Sequence, residues 1–297
     1  MTDPPRAYHL GLIGYPLEHS LSPKLHNAAL RALGLAGEYR LYPVPSTGAG
    51  ERELRALLEQ MRAGEIHGLN VTIPHKRAVI PLLDELTPTA QAIAAVNTII
   101  PRGGKLIGDN TDAPGFLADL YRAFPSLRPA HPVASPKLQA EGADLPHAFI
   151  LGAGGSARAV VYALLQDGWQ LTIAARRPAQ ARSLVKDLAP YARQASVIRP
   201  ATFDFRPAAC DLIVNCTPLG MSPNVEASPW PEDVPFPQGA AVYDLVYNPR
   251  ETRLVAAARA AGLPAVTGLG MLIEQAALAF EHWVGQYPPG VHFTPDP

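Results

Sequence analysis

Residues 150–159 read Ile-Leu-Gly-Ala-Gly-Gly-Ser-Ala-Arg-Ala. The apolar run His147–Leu151 predicts a short strand, and Ala157–Leu165 predicts a helix. Between them lies Gly152-x-Gly154-Gly155-x-Ala157, with Ala153 and Ser156 at the intervening positions. A strand that turns through glycines into a helix is the phosphate-binding turn of a dinucleotide fold. Gly152 permits the tight turn, Gly154 lets the backbone approach a pyrophosphate, and small residues at 155 and 157 let the helix close on the strand. The helix N-terminus then offers free N–H groups and the positive end of its dipole. A glycine-rich turn by itself reads equally as a flexible loop. Here a second predicted strand, Trp169–Ala175, follows at the expected distance and supplies the context.

The end of that second strand addresses the cofactor. NAD sites place Asp or Glu about 20 residues past the turn, on the ribose 2′-hydroxyl. This chain has Ala175-Arg176-Arg177-Pro178 instead. Two guanidiniums with no acid suit a 2′-phosphate, which accepts forked, charge-assisted hydrogen bonds, and therefore NADP. The other reading is a pair of solvated arginines at a helix start, where cations gain nothing from the dipole.

After these, a helix is expected at Pro178–Leu188, strands at Leu212–Asn215 and Ala241–Leu245, a helix at Thr252–Ala261, a strand at Leu263–Val266 and a long helix at Gly270–Val284. This alternation predicts an α/β fold with a parallel, doubly wound sheet. The first third alternates too. Strands are expected at Leu10–Ile13, Glu38–Val44 and Leu69–Ile73. Ser22 reads as an N-cap, with Pro23 opening a helix that runs to about Leu33. A helix is expected at Arg52–Arg62, a short one after Lys76, and another at Asp112–Phe124. Asn97–Ile100 and Lys105–Ile107 flank Arg102-Gly103-Gly104 as a hairpin.

The composition excludes several classes. With 25 Lys and Arg against 26 Asp and Glu, the net charge is −1, so nothing marks a nucleic-acid binder or a membrane-surface protein. No apolar run reaches the length of a membrane span, and the opening residues lack a signal-peptide pattern, so the cytoplasm is expected. Cys210 and Cys216 have no metal-spaced partners and read as reduced packing residues; no metal is expected. Prolines cluster in residues 124–146 and from Pro218 to Pro237, both of which read as loops.

Four polar groupings stand out in the first third: His19-Ser20-Leu21-Ser22-Pro23, Gly68-Leu69-Asn70-Val71-Thr72-Ile73-Pro74-His75-Lys76, Ala95-Val96-Asn97-Thr98 and Gly108-Asp109-Asn110-Thr111-Asp112. Asn70 and Thr72 share a strand face. Taken singly, each has a local explanation: Ser22 as a cap, Asn97 in a turn, Asp109 and Asp112 as helix-start acids. Together the hydroxyls, amides, lysine and aspartate suit a polyhydroxy acid, with the cation for its carboxylate.

In order along the chain, HSLSP, GLNVTIPHK, AVNT, GDNTDAPG, GAGGSARA, NCTPLGM, YDLVYNP and GLGMLIEQAA resemble the shikimate dehydrogenase family over nearly the whole length. The resemblance implies reduction of 3-dehydroshikimate to shikimate with NADPH, in the aromatic amino-acid (chorismate) pathway. It implies a substrate domain at 1–111 completed by a C-terminal segment at 269–297, and a Rossmann NADP domain at 112–268. By motif, Lys76 and Asp112 correspond to the catalytic pair. Ser20, Ser22, Asn70, Thr72, Asn97, Tyr247 and Gln275 correspond to substrate contacts. Thr217, Leu245 and Gly268 correspond to positions at the cofactor, beside Gly152–Ala157, Arg176 and Arg177. The partner is a small molecule, and the protein is expected as a monomer or homodimer.

Two features depart from the family. Ala175-Arg176-Arg177 stands where Asn-Arg-Thr is common, which keeps the charge and loses two contacts. The proline-rich stretch is also longer than the usual link. The nearest alternative is a quinate/shikimate dehydrogenase, in which Thr often replaces the second serine of the first motif and NAD is often preferred. The other alternative is a non-catalytic nucleotide-binding protein on the same fold.

Overall fold

The computed structural model describes residues 7–128, 145–192, 198–201 (backbone alone) and 209–289. The chain divides into two compact units, one within Met1–Asp112 and Ile273–Pro297, the other within Ala113–Leu272. Residues 129–144, most of the first proline-rich stretch, lie outside the described residues.

The first unit carries β1 (Tyr8–Gly14), α1 (Ser22–Ala32), β2 (Gly37–Pro43), α2 (Gly48–Arg62), β3 (Gly68–Val71), β4 (Glu85–Leu86), α3 (Pro88–Ile93), β5 (Thr98–Arg102) and β6 (Lys105–Asp109). Its sheet has the order β2-β1-β3-β5-β6-β4. The first three strands are parallel, and β5 and β6 form an antiparallel hairpin. That hairpin turns at Gly103 and Gly104, with φ of +59° and +78°, the left-handed backbone a two-residue turn requires. Alternate residues of the strands face opposite layers. Ile13, Leu69 and Val71 pack with Leu54, Leu58 and Met61 of α2. Tyr8, Leu10, Leu12 and Tyr39 pack with Leu30 of α1 and Phe280 of the C-terminal helix.

The second unit carries α4 (Asp112–Ala123, beginning at the boundary), β7 (His147–Leu151), α5 (Gly155–Gln166), β8 (Gln170–Ala174), α6 (Pro178–Leu188), β9 (Ile198–Ala201), β10 (Leu212–Asn215), β11 (Ala241–Asp244), α7 (Arg253–Ala260) and β12 (Ala265–Thr267). Helix α8 (Leu269–Val284) carries the chain back into the first unit. The sheet order is β12-β11-β10-β7-β8-β9, parallel throughout. This is the doubly wound order, with its reversal between β7 and β10. Phe149, Leu151, Ile213 and Val242 face Leu254, Val255 and Ala258 of α7. No helix among the described residues is long and apolar enough to cross a membrane.

Two local expectations are corrected. Ser22 is not the N-cap: α1 begins at Ser22, Leu21 precedes it, and no side chain caps the end. No regular helix follows Lys76. Residues 73–79 form turns leading into a 3-10 turn at Ile80–Leu82, and the Lys76 carbonyl accepts from Val96 N–H at 2.8 Å rather than from a following helical turn.

The layer under α1 contains a fully buried histidine. His26 stacks on Tyr39 at 4.2 Å between ring centroids, and its Nε2 has no hydrogen-bond partner. Burial lowers its pKa from 6.5 to about 3, against a smaller opposing effect from Asn70. The unfolded chain therefore binds a proton on His26 at higher pH than the folded one. Stability from this group is full above pH 6.5 and is lost progressively as pH falls toward 3. Between pH values of about 7.5 and 5, wild type should lose about 2 kcal/mol more unfolding free energy than His26→Phe. Urea unfolding at both pH values measures this, and equal losses in the two proteins would contradict it.

Candidate functional site

Strand pairing builds the polar centre of the first unit. Thr98 of β5 lies opposite Asp109 of β6, so Asn97, one residue before, meets the corner 110–112. Its backbone N–H donates to the Asp109 carbonyl at 3.0 Å. Its Nδ2 donates to Asp112 Oδ1 at 2.8 Å and Thr111 Oγ1 at 2.9 Å, and reaches Gln275 Oε1 on α8 at 3.3 Å. Its Oδ1 accepts from Thr111 N–H at 2.8 Å and the Thr98 hydroxyl at 2.9 Å. With two amide protons and two lone pairs, Asn97 is fully engaged.

Asp112 stands at the start of α4 and is aimed by this hub. Its Oδ2 accepts from Lys76 Nζ at 2.6 Å, between side chains only 13% and 9% exposed. One carboxylate oxygen thus meets an ammonium and the other an amide, which offsets the cost of burying the charge. The ammonium gives one of its three protons to Asp112, which leaves two to donate elsewhere. Asp109 is committed differently. Burial opposes its ionisation, but contacts with His282 at 3.0 Å and the Thr87 hydroxyl at 2.5 Å hold its carboxyl below the ordinary value.

The network extends to β2. Asn70 Nδ2 donates to the Asn97 carbonyl at 3.1 Å and to Thr98 Oγ1 at 3.3 Å. Its Oδ1 accepts the Tyr39 hydroxyl at 2.7 Å. Ser22 opposes the rise that burial imposes on the Tyr39 phenol, and Ser22 N–H donates to Ser20 Oγ at 3.3 Å. Asn70, Asn97, Asp112, Lys76 and Gln275 therefore belong to one hydrogen-bonded set, and Ser20 and Ser22 bond each other outside it. Thr72 lies two residues beyond Asn70, with its methyl packed against Gly14. Tyr247 belongs to the other unit, after β11, where burial raises its phenol. Tyr39, Thr98 and Thr111 are not among the site residues expected from sequence. Each is a hydroxyl whose partner becomes apparent only once strands are paired.

In the second unit the parallel sheet brings the carboxyl ends of all strands to one edge. The glycine turn follows β7, the arginines follow β8, Thr217 follows β10, Leu245 follows β11 and Gly268 follows β12. Gly152 has φ +107°, and a Cβ there would lie 3.1 Å from Thr217 Cγ2, so the glycine turn and the Thr217 loop touch at the point where strand order reverses. A Cβ at Gly154 would meet nothing within 4 Å, which leaves its backbone open. Helix α5 starts directly after it, at Gly155. A Cβ at Gly268 would strike the Leu245 carbonyl at 2.4 Å, so glycine is required there. Arg176 and Arg177 are exposed, and neither forms an ion pair among the described residues. An open glycine backbone, a helix N-terminus and two exposed guanidiniums fit a dinucleotide carrying a 2′-phosphate.

The sequence profile described as the shikimate dehydrogenase substrate binding domain matches residues 12–99, and that of the shikimate 5'-dehydrogenase C-terminal domain matches residues 268–289. A protein named shikimate dehydrogenase (NADP(+)) from Salinibacter ruber is 44% identical over 285 residues, covering 94% of this chain and 92% of that protein. Among solved structures, shikimate 5-dehydrogenase from Thermus thermophilus, in complex with NADP(H) and shikimate, has a TM-score of 0.76 at 36% identity, covering 95% of each chain. Quinate dehydrogenase from Corynebacterium glutamicum, in complex with NAD, has a TM-score of 0.80 at 33% identity, also covering 95% of each. Identity at this level along nearly the full length of both partners places the chain in the shikimate dehydrogenase family.

Proposed function

We propose that this chain catalyses the reversible reduction of 3-dehydroshikimate to shikimate with NADPH, a step of chorismate and aromatic amino-acid biosynthesis. The observation that carries this reading is the Lys76–Asp112 pair, held at 2.6 Å within a network of hydroxyls and amides. The unit containing that network takes the substrate, and the unit with the glycine turn takes the cofactor. When bound, NADPH supplies the hydride.

The protein's own task is to hold the hydroxy acid and move one proton. Lys76 has the N–H groups to donate a proton to the oxygen at the reacting carbon, and to take it back in the reverse direction. Asp112 fixes the ammonium and accepts a substrate hydroxyl. Ser20, Ser22, Asn70, Thr72, Tyr247 and Gln275 bind the remaining polar groups. Asn97, its amide already engaged, contributes mainly by aiming Asp112. Gly152–Ala157 cradle the pyrophosphate, Arg176 and Arg177 take the 2′-phosphate, and Thr217, Leu245 and Gly268 border the rest of the cofactor. Ser22 in place of Thr, together with the arginines, favours shikimate over quinate. We place the protein in the cytoplasm as a monomer or homodimer. Both cysteines are free, and burial pushes the Cys210 thiol up to about 12.

Lys76→Ala should lower kcat for shikimate oxidation about 10³-fold while NADP affinity changes less than about threefold. Steady-state absorbance of the reduced cofactor and a binding titration measure the two, and near-normal turnover would exclude Lys76 as the proton carrier. The wild type should also turn over shikimate well ahead of quinate in the same assay. Replacing both arginines, Arg176→Ala with Arg177→Ala, should weaken NADP about 100-fold and leave NAD nearly unchanged. Equal weakening of both cofactors would remove the 2′-phosphate assignment.

A further inference from the structure

Strands β10 and β11 are apolar runs that end in buried polar residues, Asn215 and Asp244, both 0% exposed. The two are register partners across the parallel ladder. Asn215 Nδ2 donates to Asp244 Oδ1 at 2.8 Å, and Val246 N–H donates to the same oxygen at 3.0 Å. The Thr252 hydroxyl donates to Asp244 Oδ2 at 2.6 Å. Asn215 Oδ1 accepts both the N–H and the hydroxyl of Thr217, at 2.9 and 2.7 Å. Among the described residues no cation pairs with Asp244, and burial raises its carboxyl above the ordinary range.

Burying such a pair costs more than burying an apolar one of similar size, so stability alone does not explain it. What an apolar pair lacks is the ability to fix two loops at once. Asn215 holds Thr217, and Asp244 holds Val246, flanked by Leu245 and Tyr247. Val246 in turn accepts from Gly268 N–H at 3.3 Å through its carbonyl. The glycine turn and the arginines follow β7 and β8, on one side of the strand-order reversal, whereas these loops follow β10 and β11 on the other. A dinucleotide spans that reversal, with its phosphates at the first turn.

We propose that Asn215 and Asp244 are positioning residues for the nicotinamide half of the cofactor, joining the Thr217 loop to the Leu245–Tyr247 loop so that both meet it in one arrangement. This rests on the NADP reading above. The test compares binding of NADP+ with binding of adenosine 2′,5′-bisphosphate, which lacks the nicotinamide half, by calorimetry on the full chain. Asn215→Ala and Asp244→Ala should weaken NADP+ at least about tenfold and leave the bisphosphate within about twofold. Asp244→Asn keeps all three contacts with the Thr252 hydroxyl turned to accept, and should restore NADP+ to within about threefold of wild type. Should Asn215→Ala fail to fold, Asn215→Ser, too short to span both loops, carries the same expectation. Parallel weakening of both ligands, unchanged NADP+ binding, or an Asp244→Asn as impaired as Asp244→Ala would each overturn the proposal. If wild type binds neither ligand, the cofactor assignment itself fails and the positioning role falls with it.

Discussion

A polar group withdrawn from water costs free energy unless it finds a partner inside the protein. Each unit is organised around one cluster where that requirement is met in full. In the first, Asn97 sits between Thr98, Thr111, Asp112 and Gln275 with no lone pair or proton to spare. Turning its amide over would set N–H against N–H and oxygen against oxygen. The Asp112 carboxylate therefore has one orientation, and the Lys76 ammonium has one place to sit. The surrounding apolar layers hold the sheet together, but they are indifferent to where an oxygen points. Geometry at the ångström level comes from the polar hub, and catalysis by proton transfer depends on geometry of that kind.

Legibility in the sequence follows how local the determining interaction is. His147–Leu151, Pro178–Leu188 and Leu212–Asn215 have the same bounds in both readings, because each is an unambiguous run with Gly, Pro or polar punctuation at its ends. β4 carries no such signal: Glu85–Leu86 is a strand only because β6 lies beside it. Ser22 before Pro23 obeys the local rule for a cap, yet α1 begins at Ser22 itself and its neighbour is Tyr39, a residue brought alongside by the β1–β2 ladder. The turns after Lys76 have the same origin, since Val96 takes the carbonyl a helix would have used. At the candidate site, residue types are legible as motifs, whereas Tyr39, Asn215 and Asp244 acquire meaning only with strand register. A lone polar residue ending an apolar strand is the available signal for the last two.

The choice of cofactor illustrates how little of it resides in the fold. Relatives crystallised with NADP(H) and with NAD superpose on this chain almost equally well, at TM-scores of 0.76 and 0.80. Preference must then lie in side chains at the strand ends. Arg177 occupies the N-cap of α6 without capping it, and the first turn of that helix contains no acid. Two cations at the positive end of a helix dipole are unfavourable locally, and among the described residues no carboxylate pairs with either. The same arrangement becomes favourable once an anion arrives, because the dipole and both guanidiniums then act in one direction. A 2′-phosphate bound there would convert the local conflict into binding energy, while a bare ribose hydroxyl would not. Unfavourable charge retained at the mouth of a nucleotide fold is thus a more specific guide to NADP than the glycine turn, which serves either cofactor equally.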